Sequence, residues 1–155
     1  MSNNSITIYT DATVDLKKGV GFWAFHAKSS LGSYQLRGTA NRTIWDNNVA
    51  EQYAICVAIW RCHQKWPSLK AFLVKTDSKF CTKVWCGVQK NLNSLDKRGI
   101  WEETIQMMED LRATLKDCTV YVKWVKSHQD SETSTTYLNN KVDKMVKVLR
   151  DGDDE

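Results

Sequence analysis

The sequence predicts an α/β domain built on one mixed sheet of five strands, three antiparallel and then two parallel, flanked by helices in the order βββαβααβα. Three observations predict it. Residues 5–40 hold three strand-like runs separated by short polar breaks, which sets consecutive strands antiparallel. From Asp46 the apolar spacing becomes helical, and helix and strand patterns then follow one another to the C-terminus. The chain has 155 residues, 42% hydrophobic and 26% charged, with one proline, which is the size and composition of one ordinary folded domain.

"SITIYT" (5–10) alternates Ile6 and Ile8 with polar neighbours, as a strand with one better-buried face does, and it runs directly into Asp11. "DATVDLKKG" reads as a polar turn, and "VGFWAFHAK" and "SYQLRGTA", separated by "SSLG", as two strands of a hairpin or meander. Ala50, Tyr53, Ala54, Val57, Ala58 and Trp60 recur at helical spacing from Asp46 until Pro67 stops the pattern. "KAFLVKT" is a fourth strand ending on Asp77, followed by a helix from Ser78 to about Lys90 and a polar loop, "NLNSLDKRG". A third helix spans Ile100 to about Lys116, and "CTVYVKWV" is the fifth strand. Beyond a Ser- and Thr-rich loop, "YLNNKVDKMVKVL" places Val142, Met145, Val146 and Leu149 on one face of a last helix. No repeat or linker divides the chain, so residues 1–150 are expected to form one domain with 151–155 as an acidic tail.

No apolar run approaches the roughly 18 residues that span a bilayer, and "MSNNSITIYT" lacks the basic and hydrophobic regions of a secretory signal. The expectation is a soluble, cytoplasmic protein with no membrane partner. The five cysteines are odd in number and contain no C-x-x-C pair, which points to reduced core thiols; Cys62 beside His63 has no second pair to complete a zinc site. The net charge of +4 includes the acidic end "RDGDDE", so the remainder is more basic and leans toward a polyanionic partner.

The informative feature is the placing of four acids. Asp11 and Asp77 each follow a strand, and a helical crossover from the hairpin sets those strands parallel, so both carboxylates share one sheet edge, where α/β sheets place their sites. Glu51 leads the ridge Glu51, Ile55, Ile59, which aims it inward, and Asp143 sits beside Val142 and over Val146. Singly, each acid fits a helix start or a turn. Together they repel and raise one another's pKa unless a cation sits among them. Mg²⁺ takes a few carboxylates with waters and substrate phosphates, and a pair of such ions roughly 3.5–4 Å apart serves the attacking and leaving oxygens of an in-line phosphoryl displacement.

With these residues in view, the chain resembles ribonuclease H of the type I and retroviral kind. The matching blocks are "IYTDAT", "NNVAEQYAI", "KTDSKF", "VKWVKSHQ" and "NNKVDKMV", in the family's order and over nearly the whole chain. The resemblance implies a ribonuclease H-like fold. It also implies metal-dependent cleavage of the RNA strand of an RNA/DNA hybrid, leaving 5′-phosphate and 3′-hydroxyl ends. It makes Asp11, Glu51, Asp77 and Asp143 ligands of two Mg²⁺ ions, with Mn²⁺ an alternative, and gives His128 a part in proton transfer or product release. It makes Asn47 and Asn48 readers of the hybrid's minor groove, where 2′-hydroxyls are displayed. Ser78, Lys79 and Asn139 join them as substrate contacts, and the protein is expected to act as a monomer.

The chain departs from the family pattern at four places, one of them a short turn between Asp11 and "GVGFWAF" that argues against substrate contacts from Thr13 or Asp15. Ala12 follows the first acid where glycine is most common, and Asp46 stands where a phosphate-binding threonine often precedes the Asn pair, leaving Thr43 for that pocket and Asp46 free to cap the helix. The basic, Trp-rich handle of many bacterial members is reduced to "KNLNSLDKRG", with Lys90, Lys97 and Arg98, preceded by Lys79 and Lys83 one turn apart. Of the seven tryptophans most fall in apolar periods and read as core, with Trp45 the exception that could stack on a base. His26 and His63 read as structural or exposed. Two other readings keep the same acids in view: a nuclease of this fold acting on DNA, and a degenerate nucleic-acid-binding module. The second gains nothing from acids that face phosphates.

Overall fold

The computed structural model describes residues 4–87, 100–125 and 134–151; within these, the side chains of Ile100, Trp101, Ser134, Thr135, Thr136 and Asn139 lie outside the description. The elements are β1 (Ser5–Asp15), β2 (Val20–Ser29), β3 (Gly32–Thr43), α1 (Asn47–Lys65), β4 (Ala71–Thr76), α2 (Lys79–Trp85), α3 (Ile100–Thr114), β5 (Thr119–Trp124) and α4 (Ser134–Asp151), in the predicted order. They build one five-stranded sheet, β3-β2-β1-β4-β5. β1 and β2 pair antiparallel, as do β2 and β3, whereas β4 pairs parallel with both β1 and β5.

Two element bounds are corrected. α2 ends at Trp85, with Cys86 and Gly87 turning and Gly87 at φ +76°, where the sequence predicts a helix to about Lys90. β1 does not end at Asp11 but continues to Asp15, pairing with β2 through Asp15↔Val20. "DATVD" is therefore strand, and only residues 16–19 turn. The alternation of polar Asp11, Thr13 and Asp15 with buried Ala12 and Val14 is itself a strand pattern, hidden by its polar half. Asp15 closes the turn by accepting from the Lys17 and Lys18 amides at 3.0 and 3.3 Å. Gly19 completes it at φ +68°, and a Cβ there would come within 2.5 Å of the Trp45 ring. That contact gives Trp45 a packing role against the turn.

Alternate residues of β1 serve two cores. Ile6, Ile8, Ala12 and Val14 join Phe25, Ile55, Ile59 and Phe72 beneath α1, while Tyr9 packs with Ala24, Leu138, Val142 and Val146 under α4. α1 begins with Asp46 as its N-cap, the side chain accepting from Asn48 N and Val49 N at 2.7 and 3.2 Å. α1 buries the predicted ridge, but Trp60 is exposed instead of facing the core. The cysteines are free, with Cys56, Cys62 and Cys81 buried, Cys118 half-buried and Cys86 exposed. Among the described residues no helix is long and apolar enough to cross a membrane.

Candidate metal centre and nucleic-acid interface

The sheet makes the site by letting two strands part company. β1 pairs with β4 only as far as Tyr9↔Lys75, while it stays paired with β2 for six further residues. Two more residues in the same register bring Asp11 level with Asp77, just past the last β1–β4 pair. Asp11 shares a sheet face with Tyr9 and so lies on the α4 side. Glu51 arrives from α1 on the opposite side, and the three acids meet where the strands diverge. One carboxylate oxygen from each of Asp11, Glu51 and Asp77 lies within 4.8 Å of the other two.

Asp11 and Glu51 are buried and Asp77 is half-buried. Burial first, then the charge of Asp77 and a hydrogen bond with Asp143, hold the Asp11 carboxyl well above the usual carboxylate range. Glu51 is likewise raised, by burial and then by the charges of Asp11 and Asp77. The two carboxyls are within hydrogen-bonding reach of each other, which joins their titrations. Neither is ion-paired among the described residues. Asp143 stands outside the three, half-buried, reaching Asp11 on one side and pairing with Lys147 at 3.0 Å on the other.

The positions are held by the surrounding structure. Gln52, next to Glu51, is buried and receives the Trp85 indole N–H at 2.7 Å, and its own amide donates to the Thr104 carbonyl at 3.4 Å. Arg112 donates to the Trp85 carbonyl and stacks over its ring, 5.2 Å from the centroid, so α1, α2 and α3 are tied at the level of Glu51. Asp11 accepts from the Ala12 amide at 2.8 Å. Ser78 caps α2, accepting from Cys81 N at 3.1 Å, and its hydroxyl reaches Asn48 Oδ1 at 3.4 Å. Burial pushes the Cys81 thiol up to about 12, so it stays neutral and donates to the Asn48 carbonyl at 3.3 Å.

A divalent cation fits this donor set. Among the described residues, Glu51 Oε1 is a buried carboxylate oxygen with no hydrogen-bond partner, and the Thr10 hydroxyl beside Asp11 is also unpartnered. An oxygen left in that condition costs stability unless something positive reaches it. Hard cations take oxygen donors, and three carboxylates from three elements supply them without zinc's usual nitrogen or sulfur.

Of the other sequence-predicted residues, Asn48 and Ser78 are joined by a hydrogen bond, Ser78 directly follows Asp77, Lys79 is the first residue of α2, and Asn47 is exposed at the first position of α1. The side chain of Asn139 lies outside the description, although its backbone belongs to α4. His128, Lys90, Lys97 and Arg98 also lie outside the described residues. His26 is buried, with Nδ1 3.0 Å from Gln35 Oε1, and His63 is half-buried. Sequence reasoning missed Trp124, whose ring lies under the Lys79 ammonium at 4.5 Å; its even-numbered neighbours Val120 and Val122 face inward, and that alternation made it look like core. A cleft of about 490 Å³, lined in part by Trp23, Tyr53, Trp60 and Met107, contains none of Asp11, Glu51, Asp77 and Asp143.

The RNase H family profile matches residues 3–149. Three solved structures share the architecture. The N-terminal RNase H domain of a Mycobacterium tuberculosis protein is 14% identical with a TM-score of 0.68, over 96% of this chain and 98% of that one. RNase H1 of the halophilic archaeon Halobacterium salinarum is 15% identical with a TM-score of 0.67, over 96% and 98%. LC11-RNase H1, solved in complex with an RNA/DNA hybrid, is 18% identical with a TM-score of 0.64, over 91% and 99%. At these identities the likeness is one of fold. No curated protein sequence matches the chain.

Proposed function

The chain belongs to the RNase H family, and from that premise we propose that this nuclease is a metal-dependent endoribonuclease that hydrolyses the RNA strand of RNA/DNA hybrids, leaving 5′-phosphate and 3′-hydroxyl ends. One observation carries the reading: Asp11, Glu51 and Asp77 converge within 4.8 Å of one another, and a buried Glu51 oxygen has no partner among the described residues. An isolated cluster of this kind is a liability in a fold, and a divalent cation removes it.

Asp11, Glu51 and Asp77 would hold the metal, with Asp143 completing the set from α4. Two Mg²⁺ ions, or Mn²⁺ in their place, supply charge neutralisation at the oxygens of the displaced phosphodiester. The chain's own residues do the rest. Glu51 would serve as a ligand in its carboxylate form, and Lys147 balances the charge of Asp143. Asn47, Asn48 and Ser78 offer amide and hydroxyl groups beside the acids, chemistry suited to 2′-hydroxyls in a shallow minor groove. Lys79 and Asn139 are further substrate contacts, and His128 is assigned to proton transfer or product release. LC11-RNase H1, of the same architecture, was solved with a hybrid bound, which supports that partner here.

The test labels each strand in turn of an RNA/DNA hybrid, a DNA duplex and an RNA duplex, and follows cleavage with Mg²⁺ and then with chelator. The expected result is internal cutting of the RNA strand of the hybrid alone, stopped by chelator. Cutting of the DNA duplex at a comparable rate, or cutting that survives chelation, overturns the proposal.

A further inference from the structure

The ends of β4 and β5 nearest the acids carry a cation built onto an aromatic face. Trp124 is the last residue of β5, paired with Thr76, and the Val125 amide donates to the Thr76 carbonyl at 2.8 Å, so its backbone is fixed beside the strand that delivers Asp77. Trp124 is 37% exposed. Lys79 Nζ sits 4.5 Å from the centroid of its ring. No carboxylate lies within 4.0 Å of that ammonium among the described residues.

This arrangement differs from an ordinary surface lysine in two ways. A free lysine samples many rotamers and loses that freedom when it grips an anion, whereas one lying on an indole has already given up part of it. The ring also attracts the ammonium through its π face without neutralising it, so the positive charge and its N–H donors remain available. Position supplies the ligand. Lys79 is two residues from Asp77, and the intervening Ser78 is joined to Asn48 at 3.4 Å. An anion that must be accepted beside a carboxylate cluster, and that extends past it, is a phosphodiester backbone.

We propose that Lys79 and Trp124 form a phosphodiester-binding site, with Lys79 meeting the backbone of the bound nucleic acid and Trp124 acting as the positioning residue that holds its ammonium in place. The site rests on the nuclease reading above for the identity of the polymer. It carries no base specificity, because it sees only charge and backbone geometry.

The experiment measures binding of a fluorescent RNA/DNA hybrid by anisotropy, in chelator, over a series of KCl concentrations. Lys79→Met should reduce the slope of log K against log[KCl] by about 0.9, the loss of one phosphate contact. Trp124→Leu should reproduce most of that loss, Trp124→Phe should retain the wild-type slope, and Lys79→Met/Trp124→Leu should fall no further than Lys79→Met alone. A structural role for Trp124 would not produce this non-additivity or the rescue by phenylalanine. The Lys79 ε-methylene should show a ring-current upfield NMR shift in the wild type that persists in Trp124→Phe, and this reports the pair even if Trp124→Leu fails to fold. An unchanged slope in Lys79→Met, additive losses in the double variant, or no upfield shift in the wild type overturns the site. Strand-specific cleavage by the wild type is run in parallel: its absence with the slope changes intact defeats the nuclease reading and leaves the site standing, and its presence with unchanged slopes does the reverse.

Discussion

Asp77 is half-buried while Asp11 and Glu51 are buried, and its charge raises the pKa of both. Asp77→Asn therefore removes a proposed ligand and a source of repulsion in one change. Cleavage should fall to background while the metal-free protein gains stability, and a gain of about 1 kcal/mol would raise Tm by about 2–4 °C in a chain of this size. Circular dichroism melts and the strand-labelled assay check the two halves. Turnover at the wild-type rate would remove Asp77 from the site. The raised carboxyls also fix a pH dependence. In the unfolded chain such groups lose their protons near pH 4, whereas folded Asp11 and Glu51 keep theirs to higher pH, so the folded state binds more protons across that window. Their contribution to stability is fully present below about pH 4 and is lost as pH rises through the folded pKa values. Without divalent cation, the Tm of Glu51→Gln should decline less than that of the wild type between pH 5 and pH 8, a comparison that cancels the other titrating groups. A steeper decline in the variant would contradict the assignment.

At the scale of elements, α1 delivers Glu51 and both amide side chains, and its start depends on Asp46. Asp46→Ala should cost about 1 kcal/mol by urea denaturation, with Asp46→Asn largely neutral. Asn47 and Asn48 occupy the first turn, whereas Glu51 is anchored a turn further on beside the locked Gln52. The Ala variant should therefore raise KM for the hybrid more than it lowers kcat, and steady-state kinetics on the two variants separate these effects. The sequence made the α1 cap and the inward aim of Glu51 legible, because a capping Asp and an i, i+4 ridge are local patterns. It did not show that β1 runs on to Asp15, since a strand whose alternate residues are Asp, Thr and Asp looks like a turn until its partner strand is placed. Nor did it show the Lys79–Trp124 pair or the Gln52–Trp85–Thr104 ties, which join residues distant along the chain through side chains whose types alone imply no partner.

Over the whole molecule, two cores on opposite faces of one sheet bring α1 and α4 to bear on the same strand, and the acids meet where β1 separates from β4. The fold thus holds like charges together at a place where their own repulsion, and a buried Glu51 oxygen unpartnered among the described residues, work against it. Ligand linkage makes that arrangement measurable without any substrate, because a cation that binds only the folded chain stabilises it by RT ln(1 + [L]/Kd). The most direct measurement is Tm against Mg²⁺ concentration at pH 7.5 for the wild type and for Asp77→Asn, with K⁺ at matched ionic strength as the control. The account predicts that Tm of the wild type rises with Mg²⁺ well beyond the K⁺ control, and that Asp77→Asn starts higher and rises far less. Equal responses of the two proteins, or a wild-type response no greater than that to K⁺, would contradict a metal centre at Asp11, Glu51 and Asp77.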